Sequence, residues 1–198
     1  MRSKKLLLLF IFVLISKLNI THSYSIESDV FVQSTVNRAS EVLSGKFSKK
    51  EKIDKLKAIA KETVDITGIG FYTLGSYRKN ITNDQKIKYT NLFEQYFLKS
   101  FASRLAEYSN PEIEVNSKEI LNENYTMVSS TLVATEQRPE VKIDWRIYTK
   151  NPEAPKIRDL IIEGLSLART QKEEFSSIIQ SNNGDINALF SALEEFIK

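Results

Sequence analysis

The chain has 198 residues, 41% of them hydrophobic and 27% charged, with 28 Lys and Arg against 25 Asp and Glu. It contains no cysteine and a single histidine, His22. A product starting after residue 25 has neither, which excludes Cys/His zinc sites, Ser-His-Asp and Cys-His nucleophiles, thiol redox chemistry and disulfides.

The first residues read as a secretory signal peptide. Arg2, Lys4 and Lys5 precede an apolar run from Leu6 to Ile15, and the polar stretch Ser16 to Ser25 follows. Ten apolar residues make a helix of about 15 Å, half of a bilayer's hydrocarbon core, so a leader is expected and an anchor is not. Cleavage after Ser23 or Ser25 suits the small-residue preference. Removing residues 1–25 takes away Arg2, Lys4, Lys5 and Lys17, leaving 24 basic residues against 25 acidic ones and a formal charge of −1. That chain has no cationic surplus, so no nucleic-acid partner is expected. The division expected is a leader over 1–25 and one domain over 26–198, exported to a bacterial periplasm.

Val32, Val36, Ala39 and Leu43 recur at helical spacing up to Gly45. Ser48 and Glu51 form a capping box for a second helix that turns Ile53, Leu56, Ala60 and Val64 inward. Lys49, Lys50, Lys52, Lys55, Lys57 and Lys61 lie mostly outward, as a solvated face or as a docking face for an acidic partner or anionic lipid head groups. From Asp65 to Gly75 a third helix is expected, although Gly68 and Gly70 each cost it about 1 kcal/mol relative to alanine. Thr82 and Gln85 cap a long helix on which Tyr89, Phe93, Phe97, Phe101 and Leu105 repeat every four residues until Pro111. Such a stripe serves as plain core or as the lining of a ligand site.

Four strands are expected: Ile113–Ser117, Tyr125–Thr135, Val141–Thr149 and Ile157–Leu165. In the third, Val141, Ile143, Trp145 and Ile147 alternate with Lys142, Asp144, Arg146 and Tyr148, giving one buried face. Short connections make an antiparallel meander the economical topology. After Leu165 the period returns to that of a helix through Ala168, Phe175, Ile178 and Ile179; Gly184 ends it, and Asp185 caps a last helix. The fold class expected is α+β, a curved antiparallel four-stranded sheet packed on one face by several helices.

Asp65, the segment LGSYRKNITNDQ with Leu74, Gly75, Tyr77, Arg78 and Gln85, the phenylalanine helix through FASRLAEYS, and the junction IIEGLSL with Phe175 downstream occur in an order that resembles the MlaC family. These are periplasmic phospholipid-binding proteins, also known as toluene-tolerance proteins. The resemblance covers nearly all of the chain after the leader. It departs at Pro155-Lys156, where a Gly-Trp-Lys-like turn is usual, and at Gly68 and Gly70, where helix-friendly residues are commoner.

The resemblance implies a non-catalytic carrier with an apolar cavity between sheet and helices, no cofactor and no metal. Its cargo would be a glycerophospholipid, shuttled between an outer-membrane Mla lipoprotein complex and the inner-membrane Mla ABC transporter to maintain outer-membrane lipid asymmetry. The residues expected to line its pocket are Tyr72, Leu74, Phe93, Phe97, Phe101, Met127, Trp145, Ile147 and Ile161; those at its mouth are Tyr77, Arg78, Glu163, Gly164 and Ser166. Gly164 would let the backbone leave the sheet without a side chain in the way, and Ser166 would cap the next helix. Two other classes stay open. One is an isomerase-like enzyme with Asp144 or Asp159 as base beside a tyrosine, both aspartates being expected to face solvent. The other is a periplasmic chaperone or adaptor with an open groove.

Overall fold

The computed structural model describes residues 25–108 and 110–198. The expected leader lies outside the described residues apart from Ser25.

Each predicted helix forms, and every one after the first opens on a side-chain cap. α1 (Ser28–Ser44) stops at Gly45, where a Cβ would meet the Phe47 ring at 2.6 Å. α2 (Lys49–Thr63) opens with the Ser48/Glu51 capping box and α4 (Asn83–Leu105) with the Thr82/Gln85 box. Between them lie α3 (Ile66–Thr73) and a 3-10 turn at Gly75–Lys79. Of the outward lysines of α2, Lys61 pairs with Glu94 at 2.9 Å, Lys52 donates to the Leu43 carbonyl and Lys55 lies over the Phe47 ring.

The sheet is an antiparallel meander of β1 (Ile113–Asn122), β2 (Tyr125–Leu132), β3 (Val141–Tyr148), β4 (Lys156–Ile162) and β5 (Leu165–Ser166). It has five strands where four were expected. The run from Ile157 to Leu165 is broken by a two-residue hairpin: Glu163 and Gly164 take φ of 49° and 81°, and Leu165 returns to pair with Ile162. Positive φ at both central positions is the geometry of a tight hairpin turn. Gly164 therefore serves backbone conformation, because a Cβ there would have nothing within 4 Å to strike. β1 also outruns its expected end at Ser117, reaching Asn122 opposite Tyr125 across another two-residue turn. α5 (Leu167–Ser181) and α6 (Ile186–Ile197) complete the chain.

α1 lies on β1 and β2, α5 lies on β4, and α4 is held among α2, α3 and α6. Val128, Trp145, Ile147 and Ile157 of the sheet join Val32, Phe93, Phe175 and Leu189 of the helices in one buried cluster. Thr126 and Ser130 are the buried polar side chains of β2 on that face; the Ser130 hydroxyl accepts from Trp145 Nε1 at 2.8 Å and donates to the Ile143 carbonyl at 3.2 Å. Among the described residues no helix is long and apolar enough to cross a membrane.

Candidate functional site

The two glycines that weaken α3 in isolation are required by what touches them. Asp65 caps the helix by accepting from the Gly68 N–H at 2.9 Å, and a Cβ on Gly68 would stand 2.4 Å from that carboxylate. A Cβ on Gly70 would meet the Phe93 ring at 2.9 Å, so the α3 backbone rests directly on α4. The contact is pinned by polar groups. Thr73 Oγ1 donates to the Gly70 carbonyl at 2.7 Å and shares a hydrogen bond with the Tyr89 hydroxyl at 2.7 Å. Burial pushes the Tyr89 phenol far above its ordinary value, against the opposing pull of the Thr73 hydrogen bond.

From Tyr89 the aromatic row continues along α4. Ring centres stand 5.7 Å apart for Tyr89 and Phe93, 6.2 Å for Phe93 and Phe97, and 5.5 Å for the stacked pair Phe97 and Phe101. Phe175 of α5 meets Phe93 edge-on at 6.2 Å. Of the residues expected to line a pocket, Leu74, Phe93, Trp145 and Ile147 are buried in this cluster, and Phe97 and Phe101 pack against it half-buried. These side chains belong to the apolar cluster between helices and sheet, where a cavity is expected. Met127 and Ile161 are not with them. Met127 pairs with Arg146, and Ile161 with Asp144, on the sheet face opposite to Trp145 and Ile147.

The expected rim residues spread along the edge of the cluster. Tyr77 packs half-buried against it, and Arg78 is exposed on the 3-10 turn. Glu163 is spent on the sheet, its carboxylate accepting from the Lys142 N–H at 2.5 Å. Ser166 caps α5 as expected, accepting from the Arg169 N–H at 3.1 Å.

Tyr72 lies elsewhere, 41% exposed, in a cleft of about 440 Å³ where α3 and the start of α5 meet the sheet edge. Gly68, Ile69, Tyr72 and Ala168 wall it on the helix side, and Leu121, Tyr125, Arg146, Arg158 and Asp159 on the sheet side. Two ion pairs fasten its walls. Arg158, the extra residue of a bulge in β4, reaches Asp65 at 2.6 Å through Nε and again through Nη2, while its Nη1 donates to the Tyr125 hydroxyl at 2.8 Å. Its guanidinium also covers the Tyr148 ring at 3.9 Å. Burial works against the charge of Arg158, but the Asp65 carboxylate and the Tyr125 hydroxyl hold it above its ordinary value.

The second pair corrects an expectation. Asp159 does not face solvent: it is 4% exposed, because β5 and α5 fold over it. Its Oδ1 accepts from the Ala168 N–H at 3.0 Å and its Oδ2 from Ser166 Oγ at 2.6 Å, with Arg146 at 3.5 Å. Asp144 is half-buried and accepts from Ser129 Oγ at 2.6 Å. Both carboxylates thus accept from donors within the fold. Among the described residues no three His, Cys, Asp or Glu side chains gather where they could share a metal ion.

Sequence reasoning missed Arg146, Arg158 and Asp159 as a group. The available signal was opposite charge on neighbouring strands, Arg146 pairing with Asp159, at positions that alternate with apolar residues.

Similarity to known proteins agrees with this architecture. The MlaC protein family model matches residues 33–195. A curated relative, the intermembrane phospholipid transport system binding protein MlaC of Haemophilus influenzae, is 24% identical over 135 residues, 67% of this chain. The aligned part spans 62% of that relative's own length. A solved phospholipid-binding protein from Ralstonia solanacearum, in complex with a phospholipid, superposes with a TM-score of 0.74 at 20% identity, covering 87% of this chain and 97% of that one. The fold is therefore shared with that protein. Because the family model runs from within α1 to within α6 and takes in every strand between, the chain belongs to the MlaC family.

Proposed function

We propose that this protein is a phospholipid-binding transport protein that carries a glycerophospholipid with its acyl chains between sheet and helices. In this reading residues 1–25 export it to the periplasm and residues 26–198 form one carrier domain. It works without catalysis or cofactor, exchanging its cargo between an outer-membrane lipoprotein complex and an inner-membrane ABC transporter. The observation that carries the reading is the family match over residues 33–195, which supply every buried residue of the main apolar cluster except Val32.

The energetics suit a carrier. Each acyl methylene removed from water is worth about 0.8 kcal/mol, so two tails gain on the order of 20 kcal/mol against water. A bilayer offers nearly the same gain, so transfer between bilayer and protein is close to balanced. Loss into water is strongly unfavourable. The aromatic row must part to admit a tail, and the hydrocarbon that enters replaces one set of apolar contacts by another. Leu74, Phe93, Phe97, Phe101, Trp145 and Ile147 then line the cargo, while Met127 and Ile161 stay on the far face.

Mass spectrometry of gently purified protein tests this reading. Diacyl phospholipid bound at near one per chain is expected, and a protein that stays empty after incubation with phospholipid vesicles overturns it. Phe97→Asp, folded, should lose the lipid; unchanged occupancy would remove Phe97 from the lining.

A further inference from the structure

Arg146 stands apart from the other charged groups of the cleft between α3, α5 and the β1–β2 turn. Its side chain is 40% exposed, and its only ionic contact among the described residues is Asp159 Oδ2 at 3.5 Å. No hydrogen bond from its guanidinium is formed among the described residues. The neighbouring charges are all committed. Asp159 accepts from Ser166 and Ala168, and Asp65 accepts from Gly68 and Arg158. The remaining fork of Arg158 goes to the Tyr125 hydroxyl. Two arginines and two aspartates leave the cleft neutral in sum, so an anion entering it meets open donors on Arg146 without meeting an unpaired carboxylate.

We infer that this cleft binds a phosphate group, with Arg146 as its ligand and Ile69, Tyr72, Leu121 and Ala168 as an apolar wall beside it. A guanidinium presents parallel N–H donors that match two phosphate oxygens. The contact it must loosen is the long one to Asp159, whose own oxygens keep their other donors. About 440 Å³ admits a phosphate together with the first carbons attached to it. The polar group and the apolar wall in one cleft fit the head group of a phosphorylated amphiphile. In that form the inference rests on the carrier reading; free inorganic phosphate offers the same chemistry.

Calorimetric titration of the purified full chain separates the two sources. The probes are dihexanoylphosphatidylglycerol, dihexanoylglycerol without phosphate, and inorganic phosphate alone. The phospholipid is expected to bind about tenfold tighter than the diacylglycerol, a difference of about 1.4 kcal/mol. Arg146→Gln should shrink that preference to about twofold or less without changing diacylglycerol affinity, and Arg146→Lys should keep part of it. Equal binding of the two lipids to the unaltered protein, or a preference that survives Arg146→Gln, overturns the phosphate site while leaving the carrier standing. If neither lipid binds but inorganic phosphate does, in an Arg146-dependent way, the site stands and the carrier reading falls. No binding of any probe sinks both.

Discussion

Neighbouring residues of β3 live in different media. Trp145 and Ile147 point into the helices and are sealed by Val128, Phe93 and their neighbours, where binding energy is apolar and undirected. Arg146 and Tyr148 point the other way, where Tyr148 supports Arg158 and Arg146 faces Asp159, and every contact depends on direction and charge. One face offers apolar side chains that hydrocarbon would have to part. The other offers a fixed geometry that keeps α3 and α5 against the sheet edge. In the carrier reading the acyl chains thus belong to one side of the strand, while the other side holds the frame and the proposed phosphate ligand Arg146.

The contrast can be broken most forcefully on the apolar side. Phe93→Ala deletes a fully packed ring and should cost about 3–5 kcal/mol in urea unfolding. A loss under about 1 kcal/mol would mean that this region collapses freely around the missing ring and that Phe93 is not tightly packed. On the polar side, Asp65→Ala removes the cap of α3 and one partner of Arg158 together. We expect about 2 kcal/mol, with the loss seen first as faster amide exchange in residues 66–73.

Where the two regions meet, Gly70→Ala sharpens the comparison. Helix propensity favours alanine by about 1 kcal/mol, but the new methyl would press on the Phe93 ring at 2.9 Å. A net loss of about 1 kcal/mol in thermal or urea unfolding is expected, and a gain would show that α3 can move off α4 at little cost.

Alkaline pH probes the same junction. Tyr89 is buried, so its neutral hydroxyl is favoured in the folded state and its folded pKa lies above the unfolded value of 10.0. The stability it contributes is present below that value and is lost as pH rises through the folded pKa. Urea midpoints should therefore decline above about pH 10, and less steeply in Tyr89→Phe. The smallest effect is expected at the surface. The two-pronged pair of Arg38 with Glu62 is exposed on both sides, and Arg38→Ala should cost at most about 1 kcal/mol in the same assay.

The sequence was most readable where local chemistry decides the outcome. Ser48 with Glu51, Thr82 with Gln85, Ser166 and Asp185 each cap the helix that their spacing predicts. Alternation in β3 also survives, with Trp145 and Ile147 inward. What stayed hidden depends on contacts distant in sequence. Gly68 and Gly70 read as helix breakers until Asp65 and Phe93 occupy the space a side chain would need. Asp159 read as solvent-facing because nothing local announces that β5 and α5 will fold over it. Met127 and Ile161 were assigned by hydrophobicity, whereas register across the strands sets their face.

Trp145 is the only tryptophan in the chain, it is 8% exposed, and its indole N–H is engaged by Ser130. Ultraviolet emission excited at the indole band therefore reports on a single point in the protein, at the floor of the space proposed for acyl chains. Brominated fatty chains, which quench indole light only on contact, would turn that residue into a built-in gauge of how deep a guest has travelled.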